Sequence, residues 1–161
     1  MRVSLKSKTL IGLMCVLATP VFAARKERPS GAEIAQKARL AVLDSANSAT
    51  AEKNGKKIKF TPANLDQVKG ETELEEGQAL GLLENEAPGD ETGLPPGKYN
   101  LFAAKVGNDW HVYAESGGNI VGEGIRVRVE KGKGSKKKAE IRPEGFTMTV
   151  KLGDFYFHVA W

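Results

Sequence analysis

Thiol chemistry is almost missing from this chain: of 161 residues one is cysteine, Cys15, and it lies in an N-terminal stretch that reads as a removable signal. Without it the remainder has no disulfide, no cysteine nucleophile and no cysteine metal ligand. Histidine is scarce as well. His111 and His158 are the two in the chain, in neither a His-x-His nor a His-Glu-x-x-His spacing, so no metal or other cofactor is expected unless both meet a carboxylate in three dimensions. No serine occupies a Gly-x-Ser-x-Gly elbow, which removes the usual hydrolase signature. Long apolar runs are also lacking. Leu10 to Val16, followed by Thr19-Pro20, falls short of the about 20 apolar residues a permanent membrane helix needs. Neither sign of charge dominates: 24 Lys and Arg against 20 Asp and Glu leave +4.

What is present at the N-terminus is a basic segment, Arg2, Lys6 and Lys8, then the apolar run, then Val21-Phe22-Ala23 with small residues three before and one before a cleavage point. This is the pattern of a secretory signal peptide over residues 1–23, and it predicts a bacterial protein that is exported to the periplasm or secreted. A lipid anchor on Cys15 is disfavoured because Met14, not a small residue, precedes it. Removal takes three positive charges and no acid, so +4 − 3 leaves +1 on a chain of 161 − 23 = 138 residues. No specific nucleic-acid role is expected at that charge, and membrane contact would be peripheral at most. About 138 residues suffice for one domain without covalent staples. Charge is segregated, with nine acids against Lys69 in residues 66–91 and eight basic groups against Glu130 and Glu140 in residues 126–142.

Residues 24–57 read as a charged lead-in and one helix. Ser30-Gly31-Ala32-Glu33 is a capping-box sequence, and the apolar spacing predicts a helix to about Ala46 with Ile34, Ala38, Ala41 and Val42 on one face and Leu43 beside it. Lys53-Asn54-Gly55-Lys56 is a turn. In residues 58–161 the pattern becomes β-rich: a short strand at Ile58 to Thr61, a brief helix from Thr61-Pro62 to Gly70, then period-two strands near 78–84, 98–106, 109–116, 119–129, 138–142, 146–152 and 155–161. The expected fold is mainly β, an antiparallel β-sandwich or small open barrel of about seven strands with the helix packed on it, most naturally immunoglobulin-like or transthyretin-like.

Two-residue turns set the hairpin registers. With Gly107-Asn108 as a turn, Ala103 faces Val112 and Leu101 faces Ala114, so Tyr99, Leu101, Ala103, Trp110, Val112 and Ala114 share the core face. A second turn at Gly117-Gly118, with no helix after it and hence no phosphate loop, would add Val121 and Ile125 to that face. With Gly153-Asp154 as a turn, Leu152, Val150, Met148 and Phe146 meet Phe155, Phe157, Val159 and Trp161, leaving Thr147, Thr149, Lys151, Tyr156, His158 and Ala160 outside. A slip of one residue would turn all eight apolar side chains to water, so this register is strongly specified.

The segment Gly93-Leu94-Pro95-Pro96-Gly97-Lys98-Tyr99-Asn100-Leu101 resembles the turn-and-strand element of exported β-sandwich modules such as carboxypeptidase regulatory-like and collagen-adhesin B-type domains. With Trp110-His111-Val112 opening the next strand, residues 94–112 also resemble exported bacterial domains that carry Leu-Pro-x-Gly-x-Tyr-x-Leu followed by Trp-x-Val. The resemblance covers about 20 of the 161 residues. It implies a fold type and an exported setting, and no activity.

The outer face of the 98–116 hairpin pairs Phe102 with Tyr113, Ala104 with His111 and Asn100 with Glu115. Aromatic rings among polar groups on a strand face suit stacking on a sugar or a partner's side chains, so these residues are the expected binding surface. The competing use of Phe102 and Tyr113 is as the floor on which the helix buries its apolar face. Glu123 is the odd residue, since strict alternation from Val121 to Ile125 points it inward. Either a bulge at Gly122 or Gly124 turns it out, or it is a buried acid. The basic loop 132–138 offers unspecific anion contact. The sequence thus favours an exported non-enzymatic protein that binds an envelope protein or polysaccharide. The alternatives are a small enzyme using Glu123, His111 or His158, and an outer-membrane β-barrel suggested by the alternating end Phe155-x-Phe157-x-Val159-x-Trp161.

Overall fold

The computed structural model describes residues 25, 27–64, 71–132, 138–144, 146–152 and 155–161. The signal-peptide reading of residues 1–23, the turn Gly153-Asp154 and most of the basic loop 132–138 lie outside the described residues.

The protein is mainly β, two antiparallel sheets packed face to face as a sandwich. The first is a six-stranded meander in chain order: β1 (Ala49–Lys53), β2 (Lys56–Pro62), β3 (Gln78–Asn85), β4 (Gly97–Val106), β5 (Asp109–Ser116) and β6 (Asn119–Glu123). The second has four strands, β7 (Arg126–Lys131), β8 (Ala139–Arg142), β9 (Thr147–Leu152) and β10 (Phe155–Ala160), in the order β7-β10-β9-β8. That order is a Greek key, in which three hairpin-linked strands return to lie beside the one before them. The described residues hold ten strands, not about seven. Ala49–Lys53 was missed, and the predicted 119–129 strand breaks at Gly124 and Ile125, where the chain crosses between sheets. Successive strands stay within one sheet, unlike the alternation between sheets of immunoglobulin domains. No single closed sheet forms among the described residues, and the outer face of the second sheet carries Arg, Glu and Thr, so the membrane-barrel geometry, with its lipid-facing apolar band, is not met. No helix among these residues is long and apolar enough to cross a membrane.

The predicted registers of the β4–β5 and β9–β10 hairpins are those observed. They put Tyr99, Leu101, Ala103, Val112 and Ala114 against Met148, Val150, Phe157 and Val159 in one core, with Trp110, Phe155 and Trp161 partly buried beside it. The Leu152 side chain lies outside the described residues. Trp110 meets Phe157 edge-on at 5.2 Å between ring centroids, a favoured aromatic geometry. The extension past Gly117-Gly118 fails. One residue of β6 bulges between Ala114 and Glu115, so Gly122 takes the core position opposite Ala114 and Val121 and Ile125 remain exposed. A Cβ at Gly122 would lie 2.5 Å from Leu94 Cδ2, so any larger residue there requires the Leu94 side chain to shift.

Helix α1 (Gly31–Leu40) begins as the sequence predicts, with Ser30 Oγ accepting from the Glu33 amide. Glu33 does not complete the capping box. Its carboxylate instead accepts two bonds from the Arg25 guanidinium, at 2.5 and 2.7 Å. The helix stops at Leu40, short of Ala46, because the next residues pair with the end of β2: Asp44 N donates to Pro62 O and Asn64 N to Val42 O. Leu40, Val42 and Leu43 are consequently exposed, and only Ile34 and Ala35 are buried on the helix. The helix predicted from Thr61-Pro62 to Gly70 is also displaced. Thr61 and Pro62 are strand, residues 65–70 lie outside the described residues, and a short helix, α2, occupies Glu71–Glu76.

Candidate functional site

Cross-strand pairing sets Ala79, Phe102, Tyr113 and Glu123 in one row across β3 to β6, on the face away from the core. Helix α1 lies on this row: Ile34, Ala79, Phe102, Ala104 and Tyr113 form a second apolar cluster, and Phe102 and Tyr113 are 0% and 2% exposed. The expected aromatic platform is therefore the floor under the helix. Stacking on Phe102 and Tyr113 would require removing α1, which Arg25–Glu33 and the Lys37 ammonium, donating to Gly77 O at 3.1 Å, hold in place. Asn100 and Glu115 are likewise structural. Glu115 is buried, accepting from Asn100 Nδ2 and from Gly118 N, both at 2.6 Å, so it fixes the β5–β6 turn.

Glu123 is turned outward by the bulge and is not a buried acid. It accepts from His111 Nδ1 at 2.6 Å, with Arg28 at 3.7 Å. The His111 ring stacks on Tyr113 at 5.9 Å, and the Arg28 guanidinium lies 5.0 Å over the same ring. Burial pushes the Tyr113 phenol up, aided by Glu123 and opposed by Arg28 and Arg25, so it stays protonated at neutral pH. A carboxylate that orients an imidazole is half of a catalytic arrangement. Among the described residues the side-chain hydrogen bond of His111 is the one to Glu123. His158 is on the opposite outer face of the molecule, hydrogen-bonded to Thr149 at 3.1 Å, so Glu123, His111 and His158 do not converge. No group of three or more His, Cys, Asp or Glu is set to hold a metal among the described residues.

An open concavity lies instead on the outer face of the second sheet, where a groove of about 610 Å³ spans all four strands. Register builds it in rows. Arg126 of β7, Ala160 of β10, Thr147 of β9 and Arg142 of β8 are aligned, and the next row is Arg128, His158, Thr149 and Glu140. A third row begins with Glu130, Tyr156 and Lys151, the Lys151 ammonium lying 5.8 Å over the Tyr156 ring. Arg128 pairs with Glu130, and Arg142 with Glu140 at 3.1 Å, along their own strands. The arginine side chains remain about 70% exposed, so such pairs are weak and easily traded for a ligand.

No protein-family model, curated protein or solved structure matches this chain. The short Leu94 to Val112 resemblance therefore does not extend to a family, and the groove has to be interpreted from its own chemistry. Sequence reasoning missed it because its two arginine-bearing strands, β7 and β8, are the outer strands of a Greek key and are not joined by a hairpin. The available signal was the run of basic groups in residues 126–142 together with the outward set Thr147, Thr149, His158 and Ala160.

Proposed function

We propose that this protein is an exported, non-catalytic β-sandwich that holds a polymer or protein of the cell envelope in the groove of its four-stranded sheet. The observation that carries the reading is the unequal covering of the two sheets. The outer aromatic face of the first is sealed by α1, whereas the second presents an exposed groove with arginines, threonines and a histidine in register. Such a face suits an extended ligand with negative charge, because arginine combines a fixed charge with a planar donor fork. The exported setting rests on the sequence of residues 1–23.

Two measurements test this. Retention on immobilised anionic polysaccharide, compared with neutral dextran, is expected to fall about tenfold or more in the double variant Arg128→Glu with Arg142→Glu, since like charge facing an anion is strongly penalised. Both side chains are exposed, so the thermal midpoint should stay within about 2 °C of the parent. Equal retention of parent and variant would remove the groove from the reading. Intact mass of the protein recovered from its native host is expected to begin at Ala24; a chain retaining residues 1–23 would remove export.

A further inference from the structure

We propose that the first row of this groove, Arg126, Ala160, Thr147 and Arg142, is a slot for a single tetrahedral oxyanion, a phosphate or sulfate ester carried on a glycan. The inference rests on the groove reading above and assigns its ligand chemistry. Strands lie about 4.8 Å apart, so the two arginine Cα positions are separated by three spacings, about 14 Å. That is a span two extended arginine side chains can close from opposite sides. Between them stand only the methyl of Ala160 and the hydroxyl of Thr147, whereas the neighbouring rows are filled at the same positions by His158 with Thr149 and by Tyr156 with Lys151. The first row is thus the place where two cations face each other over a low floor.

The donors there keep unused capacity. Arg126 has no hydrogen bond or ion pair through its side chain among the described residues. Arg142 directs its Nε to Glu140, which leaves its terminal amino groups available. The Thr147 hydroxyl supplies a neutral donor from the floor. No acid belongs to this row; Glu140 stands one row away and holds Arg142 from the side. Two guanidinium forks approaching from opposite directions match the three terminal oxygens of a tetrahedral ester better than the two coplanar oxygens of a carboxylate, since the forks can engage different oxygens.

The test uses inorganic phosphate, inorganic sulfate and acetate, each titrated into the full-length secreted form and followed by amide chemical shifts. Phosphate and sulfate are expected to move the amides of residues 126, 142, 147 and 160 at millimolar concentration, with acetate about tenfold weaker. Either Arg126→Gln or Arg142→Gln should weaken the response about tenfold, as expected for losing one charge-assisted contact. Arg126→Lys, which keeps the charge and loses the fork, should weaken it about threefold. Lys98→Gln, on strand β4 of the first sheet, should leave it unchanged. A phosphorylated and a sulfated oligosaccharide then decide which ester is preferred. Phosphate shifts confined to the slot, with no polymer retention, would sustain the slot and sink the wider groove reading. Polymer retention that survives both glutamine variants, with no phosphate response at residues 126 and 142, would sink the slot and spare the groove. A response of equal size to acetate would overturn the tetrahedral assignment.

Discussion

Replacing Gly81 by alanine is expected to destabilise the protein by about 4 kcal/mol and lower its thermal midpoint by about 12 °C. Gly81 sits at a bulge in β3, where the register shifts between Ala79 and Gly81, with φ +147°. Two costs add at this point. The backbone angle is one that a residue with a Cβ rarely adopts. The added carbon would also lie 2.2 Å from Thr61 O and 2.8 Å from both Pro62 Cα and the tip of the Phe60 ring, so strand β2 itself would have to move. Gly55→Ala separates the two. Gly55 has φ +72° in the β1–β2 turn with nothing within 4 Å of an added Cβ, so it bears the conformational cost alone, about 1 kcal/mol. Melting curves by circular dichroism check the pair, and equal losses at the two sites would show that the collision at Gly81 relaxes freely.

The second large effect is expected at Asn85. It is on the core face of β3, in a row with Ala51, Ile58 and Gly97, and is 3% exposed. Its amide nitrogen donates towards Leu94 O at 2.7 Å, Ala87 O and Thr92 Oγ1 at 3.1 Å and Pro95 O at 3.2 Å, while its Oδ1 accepts from Ala87 N at 3.0 Å. The whole connection from β3 to β4, including the Leu94-Pro95-Pro96-Gly97 element, closes around this one side chain. Tyr99 adds a hydroxyl bond to Pro95 O at 2.6 Å. Asn85→Ala removes the side-chain partner of both the Ala87 carbonyl and the buried Ala87 amide and weakens the bonding of Leu94 O and Thr92 Oγ1, and should cost about 3 kcal/mol. Asn85→Asp adds a sign that alanine lacks. Its carboxyl donates to those carbonyls only when protonated, so burial raises its folded pKa, and its stability is greatest at acid pH and lost as pH rises through that value. Urea midpoints at pH 4 and pH 8 should therefore diverge for Asn85→Asp and run parallel to the parent for Asn85→Ala.

These two sites mark how far the sequence could be read. The registers of the β4–β5 and β9–β10 hairpins were legible because turn spacing and period-two alternation are local and agree with each other. A bulge beside Gly122 was legible for Glu123, but its effect on Val121 was not, since Gly122 takes the core position beside Leu94, a residue from a distant part of the chain. The early end of α1 has no glycine or proline to announce it; pairing of residues 42–44 with the end of β2 overrides the helical spacing. Strand β1, Ala-Thr-Ala-Glu-Lys, has little β preference of its own and is drawn in by the Asn54-Gly55 turn and the apolar β2. For the site, each residue's neighbours across its own hairpin were legible, but which layer covers them was not. An amphipathic helix must bury its apolar side somewhere, and only tertiary packing decides that Phe102 and Tyr113 receive it.

That packing gives the molecule a front and a back. Arg25 enters on the helix side, its carbonyl accepting from Gly107 N and its guanidinium clasped by Glu33. Between that point and the arginine rows lie one helix layer, two sheets and the core. A matrix, reporter or surface coupled ahead of Arg25 would therefore be held at the rear, with the groove facing outward and unobstructed.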